Sequence, residues 1–284
     1  MTRDSAGGRA MLSHPTPGSR ADPIVADAMA VKAAAENFPV ALRMLPRRYR
    51  DHLTAVYSFA RTVDDIGDEA PPGQRLALLA DLRDDLERLY AGLGAAGPGA
   101  AGGPDGSVGE PRHPAVRGLA KVVTDCAVPV QPFRDLIAAN EQDQVVFRYE
   151  TFDDLLGYCA LSANPVGRIV LDVFGCRTPG RAELSDSVCS GLQIVEHLQD
   201  VAEDFRAGRI YLPAADLRQH GCSEQDLAAA SAGPQLRRLI AAEAARAGAL
   251  IAVGSPRVGE LRGAARAAVA GFVAGGRAAL AAIA

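Results

Sequence analysis

Two acidic segments of the sequence carry residue types that can do chemistry. The first extends from Tyr57 to Glu69 and has the sequence YSFARTVDDIGDE. On a helix, several of its residues follow one another at steps of three or four and share a face: Tyr57, Arg61, Asp64 or Asp65, and Asp68. Carboxylates one turn apart repel each other unless a cation lies between them. The spacing therefore favours a cation beside this helix.

The second acidic segment begins at Gln193, about 130 residues later, and ends at Pro213. Its polar residues form another stripe at helical spacing: Gln193, Glu196, Asp200 and Asp204. Arg209 and Tyr211 follow the stripe. His197 points about 100° away from Glu196 on a helix, which predicts a packing role for its imidazole. Each stripe thus has an arginine beside it and no lysine within it, as suits an anion bound through metal.

The stripes allow two interpretations. Each could be the solvated outer face of an amphipathic helix, or a structural cation site in a non-catalytic helical protein. Outer faces, however, usually mix acids with lysines one turn away, and these do not. Carboxylate oxygens suit Mg²⁺, which keeps several waters and takes its remaining ligands from substrate phosphates. The residues alone therefore favour a Mg²⁺-dependent enzyme that ionises an allylic or similar diphosphate.

Helices must position these residues, because alternating strand patterns are nearly absent. Apolar residues recur at helical spacing in six stretches: 46–66, 76–93, 152–174, 185–205, 236–253 and 258–283. We expect an all-α, single-domain helical bundle with a central cavity, whose alanine-rich walls leave room for a ligand. The domain should span residues 26–284, after a disordered tail at 1–25, with a flexible loop inserted at 92–113.

The composition narrows the class of protein. The chain has 284 residues, a formal net charge of −4 and no tryptophan. It lacks the basic footprint of a nucleic-acid-binding protein. Five cysteines at irregular spacings, without a CxxC pair, predict reduced thiols and a cytoplasmic location. The most apolar stretch, 267–276, is far shorter than the ~20 residues of a spanning helix, so we expect a soluble protein.

From residue 36 to the C-terminus, the chain resembles the squalene and phytoene synthase family of head-to-head prenyl synthases, and the two acidic motifs carry the resemblance. The resemblance implies the isoprenoid synthase fold and two or three Mg²⁺ ions. The resemblance implies six metal ligands: Asp64, Asp65, Asp68, Glu196, Asp200 and Asp204. Glu196 stands where the family usually has asparagine. The implied substrate-binding residues surround the diphosphate and the prenyl chain: Asn37, Phe38, Arg61, Gln193, Arg209, Tyr211 and Val166. The implied catalytic residues are Tyr57, Tyr158 and Asn164, together with Asp64 and Asp200.

The segment from Gly157 to Gly167 refines this resemblance. Its Tyr-Cys pair followed by Ser-Ala-Asn-Pro is similar to the bacterial hydroxysqualene synthase subgroup. That subgroup ionises presqualene diphosphate, rearranges the cation and captures it with water. Tyr158 would then lie near the reacting carbons. Asn164 would either orient the water or only satisfy carbonyls freed by the kink at Pro165.

Other activities of the same family stay open, notably condensation of two farnesyl diphosphates to presqualene diphosphate, or onward to squalene, and phytoene synthesis. No NADPH is expected, because the sequence has no nicotinamide-binding motif in the required context. The resemblance also implies a separate upstream synthase and a downstream reductase. An apolar product predicts transient contact with the inner face of the membrane.

Overall fold

The structure is a computed structural model of the chain. It describes residues 45–95, 110–229 and 231–283. The predicted tail at 1–25, the predicted ligands Asn37 and Phe38, and residues 96–109 of the predicted loop lie outside the described residues. Gly92 to Ala95, at the start of that loop, are helical.

The described residues are built almost wholly from helices. In chain order these are α1 (Arg47–Asp68), α2 (Arg75–Ala95), α3 (Pro114–Cys126), α4 (Gln131–Gln142), α5 (Phe152–Ser162), α6 (Asn164–Val173), α7 (Pro179–Gln199), α8 (Val201–Arg206), α9 (Ala214–Gln219), α10 (Glu224–Leu227), α11 (Pro234–Gly254) and α12 (Gly263–Ile283). Short 3₁₀ helices occupy Pro72–Gln74 and Ser255–Glu260. Between them, the described ranges contain a single β-bridge, from Arg148 to Ile210. The predicted all-α class is confirmed.

Two of the predicted helices are broken. The stretch 152–174 forms α5 and α6, which meet at Ala163, because Pro165 lacks a backbone N–H and lies in the first turn of α6. The stretch 185–205 begins earlier, at Pro179, and divides into α7 and α8 at Asp200. The prediction that one continuous helix carries Gln193 to Asp204 was therefore wrong. Helices α3 and α4 were not predicted.

The buried apolar residues form two clusters. The first cluster contains residues of the first four helices, α1, α2, α3 and α4, and of α6. Within it, the rings of Phe59 and Phe133 meet edge to face with centroids 5.3 Å apart. The other joins α5, α7 and the helices that follow, and it includes the wholly buried Ile194 and Leu239. Helix α1 thus belongs to one half of the bundle and α7 to the other. Arg209, after the second stripe, reaches Asp68 of the first because these halves pack together.

Helix α7 packs most extensively against α11, and two glycines permit the approach. A Cβ atom on Gly191 would lie 2.8 Å from the carbonyl oxygen of Ala247 and 2.7 Å from Ile251 Cγ1. A Cβ atom on Gly254 would lie 2.6 Å from the carbonyl oxygen of Leu184. These close contacts fix the position of α7 and of the polar residues that it carries.

Two carboxylates outside the acidic stripes are nearly inaccessible to solvent. Asp85 on α2 is 2% exposed and accepts hydrogen bonds of 2.7 Å each from the backbone N–H groups of Arg112 and His113, which anchors the start of α3. Glu243 on α11 is 1% exposed. Arg246 donates to Glu243 Oε1 at 3.0 Å, while Glu243 Oε2 has no hydrogen-bond partner. Glu243 is thus a buried acid with only half of its carboxylate satisfied.

Two C-terminal segments are long and apolar enough to cross a membrane, by length and composition alone: Pro234–Glu260 and Gly263–Ile283. The stretch 267–276 was expected to be too short to span a membrane, but α12 continues with apolar residues beyond its flanking arginines. Both α11 and α12 pack against α7. A core helix of a soluble bundle passes the same test, so this finding is weak evidence for membrane insertion.

Candidate active site

The acidic residues of α1 lie where α4 and the segment after α8 approach that helix, through Asn140 and Arg209, a region called the cleft below. Solvent reaches Asp64 and Asp68. Desolvation by the surrounding protein nevertheless raises the pKa of Asp64 to about 6, against a hydrogen bond that Asn140 Nδ2 donates to its Oδ1 at 3.1 Å. Asp65 points elsewhere, with its Oδ1 2.8 Å from Arg61 Nη2. Tyr57 is half-buried, one turn before Arg61.

The second stripe spans two helices. Gln193 and Glu196 lie on α7, Asp200 lies at the break, and Asp204 lies on α8. Glu196 and Asp200 are exposed, whereas Asp204 is half-buried. Asp204 Oδ2 is buried without a hydrogen-bond partner, and burial, followed by the charge of Asp200, raises the pKa of this carboxyl to about 7. An orphaned, desolvated carboxylate oxygen is a group that a bound cation would satisfy.

An ion pair connects the two stripes. Arg209, which follows the second stripe, donates from Nη1 to Asp68 Oδ1 of the first at 3.0 Å. The charges of Arg209 and Asp143 both act on the pKa of Asp204, which places these groups in one electrostatic cluster. The outer-face interpretation predicts stripes that face solvent, and four of their acids are exposed: Asp64, Asp68, Glu196 and Asp200. The Arg209–Asp68 ion pair nevertheless brings together residues that lie 141 positions apart in the chain.

Asp143 is a member of this cluster that the sequence reasoning missed. It lies just after α4, is 7% exposed, and accepts a hydrogen bond of 2.7 Å from the hydroxyl of Tyr158. The hydroxyl of Tyr211 donates to its other oxygen at 3.4 Å. Burial raises the pKa of Asp143 to about 6, opposed by the Tyr158 hydrogen bond and the charge of Arg209. Asp143 belongs to neither acidic stripe. The only local signal for it is the polar C-terminal end of α4, which the sequence analysis did not single out.

His197 packs behind the site, as its position on the helix predicts. Its ring stacks on Tyr211 with centroids 3.7 Å apart and an interplanar angle of 11°. Burial lowers the pKa of His197 to about 3, so the imidazole is neutral. Gln193 Nε2 lies 3.3 Å from its Nε2. The histidine thus holds Gln193 and Tyr211, two of the predicted substrate-binding residues, in place.

The break between α5 and α6 is a polar point in an apolar wall. Asn164 is 6% exposed, and its Oδ1 accepts a hydrogen bond of 2.9 Å from the hydroxyl of Ser190 on α7. The hydroxyl of Ser162 is buried there without a hydrogen-bond partner. Val166, half-buried, packs against the first apolar cluster. This arrangement is compatible with both predicted roles of Asn164.

Within the described ranges, no three His, Cys, Asp or Glu side chains lie close enough to hold a metal ion by themselves. The carboxylates instead come from both sides of the cleft. A cation between them would need further ligands from water or a bound anion, which is how Mg²⁺ is usually held. The donor set, all hard oxygen atoms with one orphaned buried carboxylate oxygen, fits that ion.

Solved structures identify the class of protein. The chain is similar to the squalene synthase HpnC from Alicyclobacillus acidocaldarius, with a TM-score of 0.78 and 38% identity over 91% of this chain and 92% of that one. It is also similar to a dehydrosqualene synthase solved in complex with a ligand, with a TM-score of 0.72 and 25% identity over 89% and 83% of the two chains. The fold is therefore that of the helical isoprenoid synthases.

Sequence comparison gives the family. The squalene/phytoene synthase family model matches residues 31–284. A hydroxysqualene synthase of Rhodopseudomonas palustris is 35% identical over 80% of this chain and 72% of its own length. A presqualene diphosphate synthase of the same organism is 32% identical over 72% and 68%. The chain belongs to the squalene/phytoene synthase family, whose members are enzymes that use prenyl diphosphates.

Proposed function

We propose that the chain is a hydroxysqualene synthase, which ionises presqualene diphosphate, rearranges the cation and captures it with water to release hydroxysqualene and diphosphate. One observation carries the proposal: an acidic cleft, joined by the Arg209–Asp68 ion pair, adjoins a buried hydrogen-bond acceptor, Asp143, that holds the hydroxyl of Tyr158. Hydroxysqualene synthases of Rhodopseudomonas palustris and Sinorhizobium fredii, 35% and 34% identical, support the choice within the family.

The cleft carboxylates would hold two or three Mg²⁺ ions. Asp64 and Asp68 would supply ligands from α1, and the opposite side would supply three more: Glu196, Asp200 and Asp204. Bound Mg²⁺ neutralises the diphosphate and polarises the carbon–oxygen bond that breaks. Asp65 would complete the set on α1, since its ion pair with Arg61 excludes it no more than the ion pair with Arg209 excludes Asp68. The orphaned Asp204 Oδ2 supports the assignment.

The remaining polar residues would bind the diphosphate and control water. The guanidinium groups of Arg61 and Arg209 lie beside the carboxylates, where they can add hydrogen bonds to phosphate oxygens. Gln193 and Tyr211, both in contact with His197, would bind the diphosphate from the same side. Asn164 would orient the water that captures the cation, with its side-chain oxygen anchored by Ser190.

Condensation of two farnesyl diphosphates is the second candidate, favoured by the similarity to a presqualene diphosphate synthase. The experiment that separates the two is incubation of the purified protein and Mg²⁺ with either substrate, without NADPH, followed by identification of the lipid. We expect hydroxysqualene from presqualene diphosphate. Conversion of farnesyl diphosphate alone, with presqualene diphosphate left intact, would refute the proposal.

A paired substitution tests the acidic cleft in the same assay. Asp200→Asn should lower kcat by about 10²–10³, the usual cost of removing one electrostatic stabiliser of a developing anion. Asp84→Asn, the same change on an exposed face of α2, is the matched control and should leave kcat unchanged. Equal rates for both variants and the wild type would refute a role for Asp200.

The product implies neighbours in a reaction sequence. Hydroxysqualene is an apolar alcohol, so we infer a cytoplasmic enzyme that touches the inner membrane face transiently to deliver it. A separate synthase must supply presqualene diphosphate, and a reductase must remove the hydroxyl group afterwards.

A further inference from the structure

The hydroxyl of Tyr158 has one proton, and the hydrogen-bond geometry assigns it to the side of Asp143. The hydroxyl donates to Asp143 Oδ2 at 2.7 Å, and the two residues are only 6% and 7% exposed. A tyrosine hydroxyl is a single donor with acceptor lone pairs on its oxygen. While Tyr158 donates to the ionised Asp143 carboxylate, its oxygen can only accept a hydrogen bond from other groups. In that state it can receive a proton from water.

Asp143 is held so that it keeps this role. Its second oxygen accepts the more distant hydroxyl of Tyr211, whose ring is fixed by stacking on His197. Arg209 favours the ionised carboxylate, whereas burial and the charge of Asp68 favour the neutral acid. Burial, the largest of these influences, raises the pKa of Asp143 towards neutrality, as suits a group that takes up a proton and releases it again. Asp143 can therefore both accept and release a proton.

We propose that Tyr158 and Asp143 form a proton relay that makes water capture the outcome of the reaction. This inference rests on the proposed function. As the oxygen of the water bonds to the cationic carbon, one water proton passes to Tyr158 Oη. The proton of Tyr158 passes to Asp143 Oδ2, which becomes a neutral carboxyl and loses that proton to solvent before the next turnover. Asp143 acts through Tyr158 and is a positioning residue.

The test compares two nearly isosteric variants on presqualene diphosphate. Asp143→Asn cannot take up the proton, and Tyr158→Phe has no hydroxyl to pass it. Both should reduce the share of hydroxysqualene among the lipid products at least about tenfold, a lower bound beside the roughly 10²–10⁴-fold that general acid–base catalysis usually contributes. Diphosphate release should fall less, because ionisation precedes water capture. The double variant should resemble the single ones, since both changes remove one hydrogen bond.

Tyr149→Phe is the matched control. The Tyr149 ring packs 5.6 Å from Tyr158 and 5.8 Å from Tyr211, but its hydroxyl accepts from Gln142 rather than bonding Asp143. Its product share should equal that of the wild type. An unchanged hydroxysqualene share in folded Asp143→Asn, or an equal loss in Tyr149→Phe, would overturn the relay. If the wild type itself forms no hydroxysqualene, the proposed function fails, and the relay fails with it.

Discussion

Replacing Gly191 with alanine tests whether the α7–α11 contact fixes the acidic residues of α7. The added methyl would lie 2.8 Å from the carbonyl oxygen of Ala247 and 3.2 Å from the backbone nitrogen of Ile251. Because two of its three nearest neighbours are backbone atoms, side-chain rotation cannot relieve the contact. The two helices must move apart, and the bundle must lose packing around them.

The magnitude follows from a comparison of two glycines. Gly118, in the exposed face of α3, would place a Cβ atom with nothing within 4 Å. Both Gly→Ala changes gain helix propensity of about 1 kcal/mol. Only Gly191→Ala also meets an overpacking cost of about 1–3 kcal/mol. Gly118→Ala should therefore be more stable than Gly191→Ala by about 1–3 kcal/mol.

Equilibrium denaturation of the two variants and the wild type measures this difference in the free energy of unfolding. We also expect reduced synthase activity in Gly191→Ala but not in Gly118→Ala, because only the first displaces Gln193 and Glu196. Equal stability of the two variants would show that α7 and α11 adjust without cost, and the argument for a rigid placement of the stripe would then fail.

Two further predictions concern the buried carboxylates outside the cleft. Asp85→Asn should lower the free energy of unfolding by about 1–3 kcal/mol at pH 7, because the hydrogen bonds from Arg112 and His113 lose a charged acceptor. Burial opposes ionisation of Asp85, but these hydrogen bonds outweigh it and lower the pKa of the carboxyl. The stability that they add is therefore lost as the pH falls below about 4. Urea titrations of the variant and the wild type should then give the same free energy of unfolding. The pKa of Glu243 is shifted in the opposite direction. Burial and the charge of Asp216 raise it from 4.5 to about 7, although the charge of Arg246 opposes them. The free energy of unfolding of the wild type should therefore fall as the pH rises across that interval. Glu243→Gln should remove the part of this decline that Glu243 contributes, and a variant whose stability changes in parallel with the wild type would contradict the assignment.

The local pattern of the sequence was enough to predict most of the helices and both acidic stripes. Helical periodicity depends on residues three and four apart, so it specified which polar side chains share a face. It failed where the decisive contact is distant in sequence. Asp143 joins the site only through hydroxyls 15 and 68 residues away, and no local pattern encodes those distances.

What the sequence by itself determined is therefore the all-α class, the two acidic stripes and the resemblance to a family of prenyl synthases. The tertiary structure decided which groups of those stripes meet. In the structure, the helix that carries the second stripe ends at Asp200. Arg61 forms an ion pair with Asp65, and Arg209 forms one with Asp68. The physical reason is that helix periodicity is local, whereas the meeting of Arg209 with Asp68 depends on packing between two apolar clusters that residues far apart in the sequence build.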